Sequence, residues 1–73
     1  MTVRGLYAGG ALWRPAGPNG FTATLADGER AVVWRQGTGI KWMIGALTGS
    51  APGGSVLAEC GRLAREARTG AAA

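Results

Sequence analysis

The chain has 73 residues, a net charge of +4, no His and a single Cys. No internal disulfide, no Cys/His zinc site and no His-based triad is available to it. Fourteen Gly point to tight turns and short strands, not long helices. One small domain over residues 1–73 follows from the length. Its stability rests on one thin apolar core, with oligomerisation left open.

Residues 1–20 are read as amino-terminal strands and turns. Val3 to Ala8 and Ala11 to Arg14 are read as two short strands around Gly9-Gly10. Pro15 to Gly20 reads as a turn or linker. Tyr7, Leu12 and Trp13 need burial, so at least one of these strands belongs against the main sheet.

Residues 21–45 read as a three-stranded antiparallel meander. Asp27-Gly28 between two alternating runs marks a hairpin with a type I′ turn. A two-residue loop pairs Leu25 with Arg30, Ala23 with Val32 and Phe21 with Trp34. Phe21, Ala23, Leu25, Val32 and Trp34 then share one face, and Thr22, Thr24, Glu29, Ala31, Val33 and Arg35 the other. Gly37 or Gly39 supplies the positive φ of the next turn. A three-residue loop there sets Ile40 beside Trp34 and Trp42 beside Val32. Ile40, Trp42 and Ile44 extend the apolar face; Lys41 and Met43 extend the other.

Ala46 to Gly54 reads as a loop. The uncharged stretch Trp42 to Ala58 approaches the length of a membrane span, but its Gly, Ser and Pro content breaks a helix. The amino terminus lacks the long apolar run of a signal peptide. A soluble, cytoplasmic protein without membrane contact is therefore expected. Ser55 is the predicted N-cap of a helix over Val56 to Thr69, stopped by Gly70, with 70–73 a frayed tail. Val56, Leu57, Cys60, Leu63, Ala64 and Ala67 form its apolar face. Arg62 is placed to pair with Glu59 and Glu66 on the outer face. Gly61 costs about 1 kcal/mol relative to Ala and signals a close backbone approach. The fold class is α+β: a small β-meander packed against one carboxy-terminal helix, with one or two further amino-terminal strands.

The four acids offer no catalytic constellation. Asp27 and Glu29 flank a turn, and Glu59 and Glu66 lie on the solvated helix side. Cys60 falls on the apolar helix face with no His to activate it. Neither Gly9-Gly10 nor Gly53-Gly54-Ser55 matches a phosphate loop. A non-enzymatic protein without cofactor or metal is expected.

The seven Arg and one Lys suit phosphate contacts, though GC-rich codons produce the same bias. Arg35 and Lys41, with Thr22 and Thr24, fall on the sheet face opposite the aromatics. Arg4 and Arg14 come from the amino-terminal segment. These six are the candidate nucleic-acid-binding residues. Trp34 and Trp42 are expected in the core, with base stacking as the alternative.

The strand–strand–strand–helix order over residues 21–69 resembles the small DNA-binding domains at the amino ends of tyrosine integrases and the plant ethylene-response domain. The Asp27-Gly28 hairpin, Trp42 on the third strand, and the helix with Ala64, Glu66 and Ala67 carry the resemblance. It implies a sheet that enters the major groove with the helix behind it. The chain is also similar, as a class, to small phage-encoded accessory proteins. The alternative is a protein-interaction or structural subunit, such as a homodimer or a phage accessory protein acting on a host partner. An open strip of Ala31, Val33 and Met43 is its expected sign.

Overall fold

The computed structural model describes residues 5–69. Six strands form one antiparallel sheet in chain order: β1 Leu6–Ala8, β2 Ala11–Pro15, β3 Gly20–Thr24, β4 Arg30–Gln36, β5 Gly39–Ile44 and β6 Leu47–Ala51. One helix follows, α1 Val56–Thr69. It packs principally on β1, β4 and β2. Among the described residues no helix is long and apolar enough to cross a membrane.

The α+β class and the meander are as expected; the strand count is larger. Ala46 to Gly54 is not all loop. Leu47–Ala51 pairs along β5, from Ile44↔Leu47 to Ile40↔Ala51. Small residues hid this strand. Gly49 looks like a breaker in sequence, yet the Trp42 ring opposite fills the space where its side chain would stand. An aromatic lying over a cross-strand glycine restores the packing that glycine lacks.

The register of β4 is the second correction. The pairs are Thr24↔Arg30, Ala23↔Ala31, Thr22↔Val32, Phe21↔Val33 and Gly20↔Trp34. Each is one residue away from the expected pairing. Gly28 N–H donates to Leu25 O at 2.9 Å and Leu25 N–H to Glu29 O at 2.8 Å. That is a three-residue loop, a type I turn completed by Gly28 at φ +89°. Asp27 takes no positive φ; its Oδ1 accepts from Glu29 N–H at 3.0 Å. The next loop has two residues, with Gln36↔Gly39 closing it and Gly37 carrying the positive φ. The two slips cancel, so β3 and β5 present the faces expected of them and β4 alone is inverted.

The core follows from this inversion. Trp13, Ala31, Val33 and Cys60 are fully shielded, with Ala23, Leu25, Ile40, Leu63 and Ala64 around them. Phe21, Trp42 and Ile44 pack at its margin. Ala31 and Val33 of β4 lie on the helix side, and Val32 and Trp34 face away. Trp13 donates its indole N–H to Ala8 O at 3.2 Å. Tyr7 is not buried: it is 78% exposed.

The helix spans the expected residues. Ser55 Oγ accepts from Ala58 N–H at 3.3 Å, an N-cap contact. Gly70 and the tail lie outside the described residues. Arg62 bridges Glu59 and Glu66, the latter at 2.6 Å. Its guanidinium pKa is raised, first by the hydrogen bonds it donates to Glu59. Glu59 departs from expectation, since it is only 8% exposed; the Arg62 pairing compensates its burial. Leu57 sits at the edge of the helix face, 37% exposed.

Candidate nucleic-acid interface

Residues directly opposite in neighbouring strands share a face. The pairs Tyr7↔Leu12, Arg14↔Thr22, Thr22↔Val32, Thr24↔Arg30, Val32↔Met43, Trp34↔Lys41 and Lys41↔Ser50 therefore trace one continuous surface. It lies opposite α1. Arg14, Arg30 and Lys41 are exposed on it, interleaved with Thr22 and Thr24.

Four of the six residues expected at the interface meet on this face: Arg14, Thr22, Thr24 and Lys41. Arg35 does not. With Val33, it turns to the helix side, and its Nη2 donates to Gly54 O in the loop before α1. The inversion of β4 moves Arg35 away and brings Arg30 in its place. Arg4 lies outside the described residues. The open apolar strip of Ala31, Val33 and Met43 does not form either, because Ala31 and Val33 are buried and only Met43 stays open.

Two residues outside the expected six join the face. Arg30 pairs with Thr24, and together with Leu12, Arg14 and Thr22 they line a shallow depression of about 420 Å³. Trp34 is the other. It is half-buried, not a core residue, and its indole N–H donates to Gln36 Oε1 at 3.2 Å. That contact ties the ring to the sheet surface between Gly20 and Lys41. The missed signal was the run Ala31-Val32-Val33-Trp34, which is apolar at both parities. Thr22 Oγ1 donates to Ala31 O at 2.8 Å, which engages its hydroxyl proton and leaves its lone pairs to accept.

Cys60 supplies no nucleophile. Burial pushes its thiol from an ordinary 9.0 up to about 12, and the nearby Glu59 charge adds to the rise. The unfolded chain ionises the thiol near pH 9, whereas the folded chain does not. The stability this gives is fully present below pH 9 and is lost as pH rises toward 12. Denaturant melts at stepped pH should show a decline in that window which Cys60→Ala lacks. An identical decline in both proteins would remove Cys60 as its cause.

Comparison with known proteins returns no matching family model, no matching curated protein and no matching solved structure.

Proposed function

We propose that the chain binds single-stranded nucleic acid across the sheet face opposite α1. The observation that carries this reading is that Arg14, Arg30, Lys41 and Trp34 share one uncovered face, with Lys41 directly opposite Trp34 and Arg14 and Arg30 together around Thr22 and Thr24. Cations contact phosphates without regard to sequence, and an aromatic ring stacks on any base. Tyr7 supplies a second exposed ring, three strands across and four residues along from Trp34, or roughly 19 Å away at the usual strand spacing and rise. Arg14, Thr22 and Thr24 lie between them. Such a surface fits splayed bases better than a closed duplex, whose bases are stacked on one another. Among the described residues the cations of this face have no carboxylate beside them in the cross-strand pairs.

The test is fluorescence titration of labelled single-stranded and duplex oligonucleotides at stepped salt. Arg30→Glu with Lys41→Glu should weaken single-strand binding about a hundredfold and reduce the salt slope by about 1.4, two phosphates at ~0.7 each. Arg35→Glu with Arg65→Glu makes the same change in net charge away from the face and should cost less than about threefold. Trp34→Ala should cost about tenfold, the loss of one stacked base. Equal losses from the two double variants would show that overall charge, not this face, drives binding. No binding at micromolar protein and low salt would end the proposal.

A protein partner is favoured by a separate feature, an apolar groove on the helix side.

A further inference from the structure

Where α1 leaves the sheet uncovered, Leu25, Trp42, Ile44, Leu47, Leu63 and Ala67 enclose a groove of about 500 Å³. That volume lies within the range of ligand sites. Leu47 is 60% exposed at its margin. Asp27, Glu29 and Glu66 rim it, so three of the chain's four side-chain carboxylates gather at one place on a cationic protein. Glu66 is shared with Arg62. The indole N–H of Trp42 is buried without a hydrogen-bond partner among the described residues.

Strand β6 is the edge of the sheet beside this groove and meets it at Leu47. Edge strands are normally blunted by charge, proline or a bulge. Leu47–Ala51 carries no charge and no proline; Pro52 comes only after it. The two-residue loop closed by Ile44↔Leu47 makes Ile44/Leu47, Trp42/Gly49 and Ile40/Ala51 the hydrogen-bonded pairs. The N–H and C=O groups of Thr48 and Ser50 therefore point outward from the sheet. At the opposite edge β1 has only three residues, and α1 packs against it.

We propose that β6 is a docking edge for an extended segment of a partner protein. The segment adds as a seventh strand on Thr48 and Ser50. It lays aliphatic side chains over Trp42 and Leu47 and brings a Lys or Arg to the carboxylate rim. The main chain supplies affinity, and the groove and its charge supply selection. This inference does not depend on nucleic-acid binding, which uses the other face. A second copy of the chain is the less suited occupant: it is cationic overall, but it brings its own carboxylate rim to the interface.

The test uses the full chain and two capped eight-residue peptides of alternating valine and threonine. One carries lysine at both ends and the other glutamate. Amide-resolved titration should show the lysine peptide shifting Thr48, Ser50 and the Trp42 indole. The glutamate peptide should bind at least about tenfold more weakly. Ser50→Pro removes an outward N–H without touching the β5 ladder, a position where an edge strand tolerates proline. It should lower affinity at least about tenfold. Glu29→Lys should narrow or reverse the preference between the two peptides, a result that holds even if Ser50→Pro fails to fold. Shifts confined to Arg14, Thr22 and Arg30 on the far strands of the open face, equal binding of both peptides, or unchanged affinity in a folded Ser50→Pro would overturn the proposal. So would sedimentation showing a dimer that Ser50→Pro dissolves, which would assign the edge to a second copy.

Discussion

Gly9→Ala should destabilise the protein by about 3 kcal/mol or more, while Gly61→Ala should leave it unchanged or stabilise it by up to about 1 kcal/mol. The two glycines face each other where the β1–β2 turn meets the helix. Gly9 holds φ +62°, a left-handed conformation that costs a side-chain-bearing residue about 1–2 kcal/mol. A methyl there would also overlap the Gly61 carbonyl oxygen and lie 2.9 Å from Ala64 Cβ. Backbone and a buried methyl cannot swing aside, so the turn must lift from the helix. Gly61 has helical φ and more room. An added methyl would meet Gly9 N at 3.6 Å and Ala8 Cβ at 3.7 Å, ordinary contacts. The nearer neighbour is Arg65 Nη1 at 3.2 Å, the end of a flexible side chain. The gain in helix propensity then remains. In thermal melts of a domain this size, 3 kcal/mol corresponds to a fall of about 12–24 °C. A Gly9→Ala melt within a few degrees of the parent would disprove the close packing of turn on helix.

Trp13→Ala should abolish folding at 25 °C. Trp13 is fully shielded and is the largest side chain in the core. Truncating a buried Trp costs about 3–5 kcal/mol. A single core in a chain this short supplies about the same amount. Trp13→Phe keeps most of the volume and loses the hydrogen bond to Ala8 O, so it should cost about 1–2 kcal/mol and remain folded. Near-ultraviolet circular dichroism with urea melts separates the cases. A cooperative transition in Trp13→Ala with a parent-like midpoint would show that Trp13 is not the keystone of the core.

Both effects trace to the amino-terminal twenty residues, which were the hardest part of the sequence to read. The Gly9-Gly10 hairpin was legible from its dipeptide, because two positive φ angles in succession suit glycine. Which of Tyr7, Leu12 and Trp13 is buried was not legible. Alternation puts Trp13 on one face and Tyr7 and Leu12 on the other. Only the position of α1 over β1 and β2 decides which face is inside.

The candidate interface was legible in part for a related reason. Thr22, Thr24 and Lys41 keep a shared face because the two register slips about β4 cancel. Arg14 joins them through its pairing with Thr22. Arg35 and Arg30 exchange sides with β4, and Trp34 moves from the expected core to the surface beside Lys41. The acidic rim of the groove was not legible at all. It draws Asp27 and Glu29 from one turn and Glu66 from the helix, positions that only tertiary packing brings together.

The sequence by itself determined the elements whose signals are local. These are the helix from its Ser55 cap, the positions of the Gly-marked turns though not their lengths, the Arg62 pairing on the helix and the apolar helix face that carries Cys60. Each depends on neighbours within a few residues. The tertiary structure decided the inside of β4 and the existence of β6. In β4 both parities are apolar, so hydrophobic patterning leaves its facing undetermined, and a one-residue slip turns every side chain over. The choice fell to the fit beneath the helix: the valines at 32 and 33 are equivalent, so the contrast is between Ala31, which is fully buried there, and Trp34, which stands on the opposite face. In β6 the strand is completed by the Trp42 ring over Gly49, a contact between partners on different strands that no reading of Gly49 alone supplies.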